Sequence, residues 1–519
     1  MKRYQTILFV FLCMNVHAQI HDDIKYLSSE FYTADSSFFW GRGYLQNDKY
    51  WEGGVYFIDK FSQKRNTSFY NARPGLYSYV SMKDERNFKK FKLHLSPSFI
   101  IAANSNTFYS FPPNYPREYW QKWANFINRY DDISQSNTYR KFSMNLTGTH
   151  IQKKVGNKNL TLGFDRKKWN VGVLDDLLIS ENAPAFLNVG LSAIQKVSNS
   201  KNKFIGYDVF VGGLASPLYA YPDNGIKIDG KSIVHPKERH LRGISGFNLF
   251  YERKGNAWLK LGMNGISSFY LNDSKILNEI LPGLNYFLDV LSKNKSNSIK
   301  MGSVYVKSSF KDELLDIWFQ YGISNSFITP KILFSNDTLL TGYLVGARKR
   351  LKVGNSFIEF FFQQSNLVNS TLDRALRGES WYTSSTIDQG YSNGGMVIGN
   401  GVGPGGVSTY ISGAYISKNK SFGIFGERLM HNQDLFYSIF NDWNGVNNGK
   451  YRRHWMDLSL GFYADLLKKG RLHHFAFSIT KAFNYQWQIK ENWPYFFNKY
   501  GIDKWGFNIK YQVVLNNPH

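Results

Sequence analysis

The chain is almost without cysteine. Its single cysteine, Cys13, lies in an apolar run from Ile7 to Met14, between Lys2-Arg3 and the small-residue exit Val16-His17-Ala18. That order reads as a secretory signal peptide over residues 1–18, too short to span a bilayer, with cleavage expected after Ala18. Leu12 stands before Cys13 where a lipoprotein signal carries a small residue, so Cys13 is not read as a lipid anchor. With that leader removed no thiol remains, which excludes disulfides, zinc–thiolate centres and cysteine nucleophiles. Long hydrophobic runs are absent as well: no other stretch reaches the length of a transmembrane helix, and the mean hydropathy is -0.38. The sequence also has no repeat longer than a hairpin, no low-complexity tract and no domain linker.

Aromatic residues and alternation are what it has. Phe, Tyr and Trp make up 17% of the chain, a surplus that aromatic belts at two membrane interfaces would absorb. From Leu458 to Leu466, residues Leu458, Leu460, Phe462, Ala464 and Leu466 share one face, and Asp457, Ser459, Gly461, Tyr463 and Asp465 the other. A tight turn follows at Leu467–Gly470, after which Phe475, Phe477 and Ile479 alternate with His474, Ala476, Ser478 and Thr480. Near the end, Trp505, Phe507, Ile509, Tyr511, Val513 and Leu515 interleave with Gly506, Asn508, Lys510 and Gln512. A period of two with one apolar face specifies a half-buried strand.

A soluble β-sandwich or propeller would share that composition; the connectors separate the readings. Short turns are expected at Lys83–Phe88, Gln152–Lys158, Ser198–Lys203, Arg253–Asn256, Ser308–Glu313, Arg350–Asn355, Ser417–Ser421 and Leu467–Arg471. Between them fall longer connectors at Asp59–Asn66, Asn104–Ser136, Asn170–Phe186, Leu214–Leu241, Leu271–Asn297, Ser324–Leu339, Leu367–Val407, His431–Arg453 and Gln488–Ile502. Regular alternation of short and long places both chain ends on the short-turn side, as in an outer-membrane barrel. The expected architecture is therefore all-β: a transmembrane antiparallel β-barrel of about 18 strands over residues 50–519. Residues 19–49 would form an N-terminal extension or plug segment. Helical spacing appears inside two loops, at Pro116–Tyr130 and Asp273–Leu291.

The formal charge is +24, which invites an acidic partner. Its distribution argues otherwise: the inner turns carry about +13 and the outer connectors about +1, so most of the excess reads as a lysine collar against anionic headgroups. Lys90 and Lys92, on the polar face opposite Phe91, Leu93, Leu95 and Phe99, are expected to line the lumen. Nucleic acid is excluded as a partner by export. No cofactor or metal is expected. His473 and His474 point to opposite faces of one strand and cannot share a metal. Asp175-Asp176 reads as a solvated or turn pair, and Gly401-Val402-Gly403 lacks the strand–helix frame of a phosphate loop. No serine sits in a nucleophile elbow, so no catalytic residue is assigned and the chain is not read as an enzyme. Arginine beside aromatic residues in outer loops suits glycans, since rings stack on sugar C–H faces and guanidinium groups pair with uronate or phosphate. The candidates are Arg374, Arg377, Trp381 and Tyr382 in one loop and Arg452, Arg453 and Trp455 in another; an outer girdle contacting lipopolysaccharide would use the same residues.

The longest connector carries Tyr382 and then Gly390-Tyr391-Ser392-Asn393-Gly394-Gly395-Met396-Val397-Ile398-Gly399-Asn400-Gly401-Val402-Gly403-Pro404-Gly405-Gly406. With Glu359 on the strand upstream and the stretch Trp169…Asp176-Leu177-Leu178-Ile179-Ser180-Glu181-Asn182-Ala183-Pro184, it resembles the outer-membrane capsule-assembly Wzi family. The resemblance runs from about Gly163 to the C-terminus and does not extend to the residues before Leu160. It implies an eighteen-stranded lectin-like barrel that retains capsular or other exopolysaccharide at the surface of a Gram-negative cell; the chain is expected to work as a monomer. It transfers no ligand-contacting residue. The glycine run itself (Gly390, Gly395, Gly399, Asn400, Gly403, Gly405) is read as a loop folded into the lumen, because glycine permits positive φ and close backbone approach. Two alternatives stay open: a diffusion channel for small solutes, and a surface adhesion or gliding-motility component.

Overall fold

A computed structural model describes residues 50–59, 75–104, 121–131 (except 123 and 127), 142–169, 171–216 (except 198, 199 and 201), 227–271 (except 234–236, 238 and 239), 298–324, 340–369, 380–440, 454–485 (except 470) and 503–516. Eighteen strands close into one antiparallel barrel. The first six are β1 (Tyr50–Ile58), β2 (Gly75–Asn87), β3 (Lys92–Leu95 and Ser98–Asn104), β4 (Phe142–Asn145 and His150–Val155), β5 (Lys158–Gly163) and β6 (Leu187–Lys196). Then come β7 (Lys203–Leu214), β8 (Arg242–Arg253), β9 (Ala257–Tyr270), β10 (Ser298–Phe310), β11 (Leu315–Ser324) and β12 (Leu340–Val353). The last six are β13 (Ser356–Asn366), β14 (Val407–Ile416), β15 (Lys420–Met430), β16 (Met456–Lys468), β17 (Arg471–Phe483) and β18 (Lys504–Asn516). Each strand pairs with the next, and β18 returns to β1 with Tyr50 opposite Asn516 and Ile58 opposite Asn508. Closure removes the unpaired edges that lipid could not satisfy.

Eight short turns lie on the side of both barrel termini and nine longer connectors on the other, as the connector lengths imply. The turns are tighter than the alternation suggests. The expected Arg350–Asn355 turn reduces to Gly354-Asn355, and β2 runs on to Asn87. The apolar signal stops at the membrane boundary, whereas ladder pairing continues into water with polar residues. Residues 60–74, which hold most of the expected Asp59–Asn66 connector, lie outside the described residues. Of the expected loop helices, residues 121–122 and 124–126 are helical; Asp273–Leu291 lies outside the described residues, as do the expected signal peptide and residues 19–49. A short helix, α1 (Gln433–Phe440), follows β15.

The period of two decides which face meets lipid. Leu458, Leu460, Phe462 and Leu466 of β16 are exposed on the outside, as are Trp505, Phe507, Ile509 and Tyr511 of β18. Asp465 faces inward and is buried. Two adjacent strands break at one level: β3 at Ser96-Pro97, where proline has no N–H for the ladder, and β4 at 146–149, where Gly148 takes φ 90. The wall is resealed by Met82 N–H donating to the Pro97 carbonyl (3.1 Å) and Ser96 N–H donating to Thr149 Oγ1 (2.9 Å).

Inside, large rings lie over glycines directly across the ladder. Trp318 faces Gly346, Tyr305 faces Gly262, Phe250 faces Gly206, and Tyr463 faces Gly423. A Cβ at Gly346 would stand 2.4 Å from the Trp318 ring. Glycine here gives up side-chain burial so that an inward ring can lie flat on the neighbouring strand.

Gly346→Val therefore forces Trp318, which is fully buried, off its seat. The expected cost is about 1–3 kcal/mol in chemical unfolding from micelles, with loss of the heat-resistant folded band on SDS gels. Gly213→Ala, where a Cβ meets nothing within 4 Å, should leave both readouts unchanged.

Candidate functional site: a two-loop plug against the barrel wall

Two outer connectors turn into the barrel and meet there. The β5–β6 connector contributes Trp169, Val173, Leu177, Leu178, Ile179 and Phe186, and the β13–β14 connector contributes Trp381, Tyr382, Ile387, Tyr391 and Met396–Ile398. Both pack on inward residues of β7–β13, among them Phe210, Ile244, Ile266, Met301, Trp318, Leu344 and Phe361. The glycine-rich segment Gly390–Gly406 is buried along nearly all its length, Asn400 completely. Gly322 and Gly342 leave room for the Trp381 indole, whose atoms lie 3.0 Å from where a Cβ would stand at either.

Among the described residues neither segment is helix, and only Ser392–Asn393 and Met396–Val397 form a small ladder. The buried backbone must therefore find other partners. The two segments supply some of them to each other. Tyr382 Oη donates to the Leu177 carbonyl (2.6 Å) and accepts from Asn400 N–H (2.9 Å). Tyr391 Oη donates to the Leu178 carbonyl (2.8 Å). Ser180 N–H donates to the Ile398 carbonyl (2.9 Å), and Asn182 Nδ2 to that of Val397 (2.8 Å). Tyr382 sits at φ 66, a left-handed conformation that costs a non-glycine residue about 1 kcal/mol or more; its two hydrogen bonds hold it there.

The wall supplies the rest. Gln363 Oε1 accepts from Val173 N–H (3.0 Å) and Leu174 N–H (3.2 Å), and Gln320 Oε1 accepts from Leu177 N–H (3.0 Å). Asn400 Nδ2 donates to Ser365 Oγ (3.0 Å). Near the outer rim Arg242 donates to the carbonyls of Ser392 (3.1 Å) and Ala215 (2.8 Å). Beside it Lys237 Nζ bridges the Tyr130 carbonyl (2.6 Å) and Asp131 Oδ1 (3.1 Å), while Asp131 N–H donates to the Gln389 carbonyl (2.9 Å). Burial pushes the Asp131 carboxyl up and the Lys237 ammonium down. On the opposite flank Asp434 of α1 accepts from Asn369 N–H (2.7 Å) and Ser380 Oγ (2.6 Å). Gly405, at φ 58, lies so close that a Cβ would be 2.9 Å from the Asp434 carboxyl.

The aromatic residues expected to touch glycan are placed differently. Trp381 and Tyr382 are completely buried, the indole donating to the Thr341 carbonyl (3.0 Å). Trp455 is 8% exposed, stacked on His431 at 4.1 Å with Nε1 donating to Asp457 Oδ1 (3.0 Å). None of the three presents an open ring face, because a large ring with one N–H or O–H is best satisfied by burial against a fixed acceptor. Arg374, Arg377, Arg452 and Arg453 lie outside the described residues. Asp175 and Asp176 are buried, not solvated: Asp176 Oδ1 closes the turn by accepting from Gly172 N–H (2.5 Å), and Asp175 Oδ1 accepts from Gly401 N–H (3.4 Å) of the other segment. His474 points inward to Asp465 (2.5 Å), and His473 outward to Tyr511 (2.9 Å). Gln320, Gln363 and Arg242 were not among the candidates: each is one polar residue among several at inward positions of its strand, beside Asp316 and Ser324, Glu359 and Ser365, and Asn248, with no local mark of its role. Among the described residues no group of three or more His, Asp or Glu could hold a metal ion.

Tyr382→Phe leaves the Leu177 carbonyl and the Asn400 N–H without their partner, which should cost about 1–3 kcal/mol and raise backbone hydrogen exchange across 177–182 and 396–401. Burial also pushes the Asp434 carboxyl up to about 7 from 3.8. The folded state thus holds its proton more tightly than the unfolded chain. The anchoring it contributes is full below pH 3.8, falls as pH rises to about 7, and is flat above. Protection factors over 380–406, exchange rates corrected for the intrinsic rate at each pH, should fall across that window, and Asp434→Asn should leave them flat.

No family model matches the sequence, and no curated relative matches it. Solved structures do. The chain is similar to Wzi of Escherichia coli, an outer-membrane protein involved in group 1 capsule assembly and a carbohydrate-binding β-barrel. The TM-score is 0.59 at 10% identity, over 96% of this chain and 99% of that one. It also aligns with OccAB4 of Acinetobacter baumannii at a TM-score of 0.41 and 10% identity, over 91% of this chain and 98% of that one. What the chain shares with Wzi is the fold: that of a closed outer-membrane β-barrel of eighteen strands.

Proposed function

We propose that the protein holds capsular or another extracellular polysaccharide at the surface of a Gram-negative cell, without catalysing a reaction on it. The observation that carries this reading is the plug. An eighteen-stranded barrel is wide enough for an aqueous channel, yet this one commits two outer connectors to filling its lumen against β7–β13. That economy suits a scaffold for outer loops better than a wide diffusion pore. The fold shared with a carbohydrate-binding barrel supports the same reading.

In this proposal Arg374, Arg377, Arg452 and Arg453 grip uronate or phosphate groups by bidentate hydrogen bonds. His431 and Trp455, stacked on each other where that connector meets β15 and β16, give it a rigid footing. The outer connectors are close to neutral in sum, so hydrogen bonding and shape, more than net charge, select the glycan.

Replacing the four arginines by alanine should lower cell-attached polysaccharide roughly tenfold while the amount of heat-modifiable barrel stays the same. Unchanged attachment would sink the proposal. Planar-bilayer recordings provide the second arm: near silence is expected, and large steady openings would favour a diffusion channel instead.

A further inference from the structure

The plug seats against only part of the wall, and the remainder differs from it in one respect. On β10–β12 the inward positions are buried one after another: Met301, Ser303, Tyr305 and Lys307 on β10, Asp316, Trp318 and Gln320 on β11, and Leu344 and Arg348 on β12. On β14–β18 they are not. Tyr410, Phe425, Ser459, Ser478 and Asn508 face inward yet each remains partly accessible. Toward the inner end the same strands bury Asp465, His474 and Gln512, and toward the outer end β17 buries Thr480 and Ala482. On β14 and β17 accessible side chains lie between inaccessible ones, Tyr410 between Ser408 and Ala414 and Ser478 between His474 and Thr480, which marks an enclosed space at mid-height.

Hydroxyls, an amide and two rings make up most of that space. Asn508 Nδ2 donates to Ser478 Oγ (3.3 Å), and the hydroxyls of Ser459 and Thr480 are bonded at 2.8 Å. Each hydroxyl still has donor or acceptor capacity beyond those bonds, and the Asn508 carbonyl oxygen can accept. Beside them Tyr410 and Phe425 stack at 5.5 Å and 16°, giving an apolar surface next to the hydroxyls. These five residues carry no charge. Two charged side chains face the same space and are engaged: Glu427, across the ladder from Tyr410 and Ser459, accepts from Ser408 Oγ (2.9 Å), and Lys510, two residues from Asn508, lies over the Tyr56 ring at 5.8 Å. A space lined by hydroxyls, one amide and a ring face is polar enough to hold water and suited to exchange it for hydroxyls on a compact carbon skeleton.

We propose that the barrel encloses a water-filled chamber on its β14–β18 side that admits a small uncharged polyhydroxylated solute, about one sugar ring in size. The chamber is separate from the outer loops and does not rest on what those loops bind.

Thiol accessibility tests it in the full-length barrel. Cys13 is the only native cysteine, so introduced thiols can be read in a C13A background. Ser478→Cys and Ser459→Cys should react with methyl methanethiosulfonate about tenfold or more faster than Ser303→Cys, which lies in the buried wall and reacts only through local opening. Ser478→Cys should be inert to a kilodalton-scale maleimide. Glucose at molar concentration should slow methanethiosulfonate modification, and gluconate should not. Folding of each variant is checked by heat-modifiable migration, and Ser459→Cys carries the test should Ser478→Cys not fold. Reaction no faster than at Ser303→Cys would overturn the chamber, and fast reaction with the large maleimide would show it open to bulk. Absence of protection by glucose, or equal protection by gluconate, would overturn the solute class. None of these readouts involves the outer-loop arginines.

Discussion

Irregular backbone inside a barrel has no ladder of its own, and each buried N–H or C=O left unpaired costs several kilocalories per mole in a dry interior. That constraint governs the lumen of this protein. The segments around Leu177 and Ile398 pair their peptide groups with each other, with the hydroxyls of Tyr382 and Tyr391, and with the amides of Gln320 and Gln363. The wall amides point inward only because strand parity puts them there. Slipping β11 by one residue would turn Gln320 to lipid and Phe319 to the lumen, exchanging a satisfied acceptor for a clash. Barrel register and plug conformation therefore specify one another.

Space follows the same logic as polarity. Gly322 and Gly342 admit the Trp381 indole, and Gly346 admits Trp318 from the adjoining strand. Further toward the inner rim the wall changes from rings to charge. Arg348 meets Asp316 at 2.6 Å and Arg350 meets Glu359 at 2.6 Å, all four side chains almost wholly buried. Desolvating such pairs costs about as much as their attraction returns, so their effect is geometric: each guanidinium ties adjacent strands on the inward face. The plug thus rests on a wall whose neighbouring strands are pinned by glycine–ring contacts and by ion pairs.

The barrel was legible in the sequence because its two signals are physical. Period two reports which side of a strand meets lipid, and the alternation of connector lengths reports which rim each connector serves; together they lead to eighteen strands with termini on the short-turn side. Local reading fails where partners are distant. Ser180 and Ile398 are 218 positions apart, and nothing local to either reveals that their backbones pair. The same limit explains Trp381, Tyr382 and Trp455. Proximity to arginine suggested a ligand surface, but composition does not tell whether a loop residue faces out of the barrel or into it. The breaks in β3 and β4 were marked by Pro97 and Gly148, yet their coincidence at one level depends on strand pairing.

The excess of positive charge takes on a different meaning once side chains are placed. At the inner rim Lys153, Lys154, Lys203, Lys352, Lys420, Lys468 and Arg471 are exposed, as a collar facing headgroups requires. Inside the barrel the lysines lean on acids or rings. Lys92, expected in the lumen, pairs with Glu85. Lys307 lies over Trp318 at 5.9 Å, Lys260 over Phe250 at 4.3 Å, and Lys167 over Phe210 at 5.9 Å. A ring quadrupole holds an ammonium group by about 0.5–2 kcal/mol depending on desolvation, enough to fix its position. Selection by such an interior falls to hydroxyls, amides and ring faces.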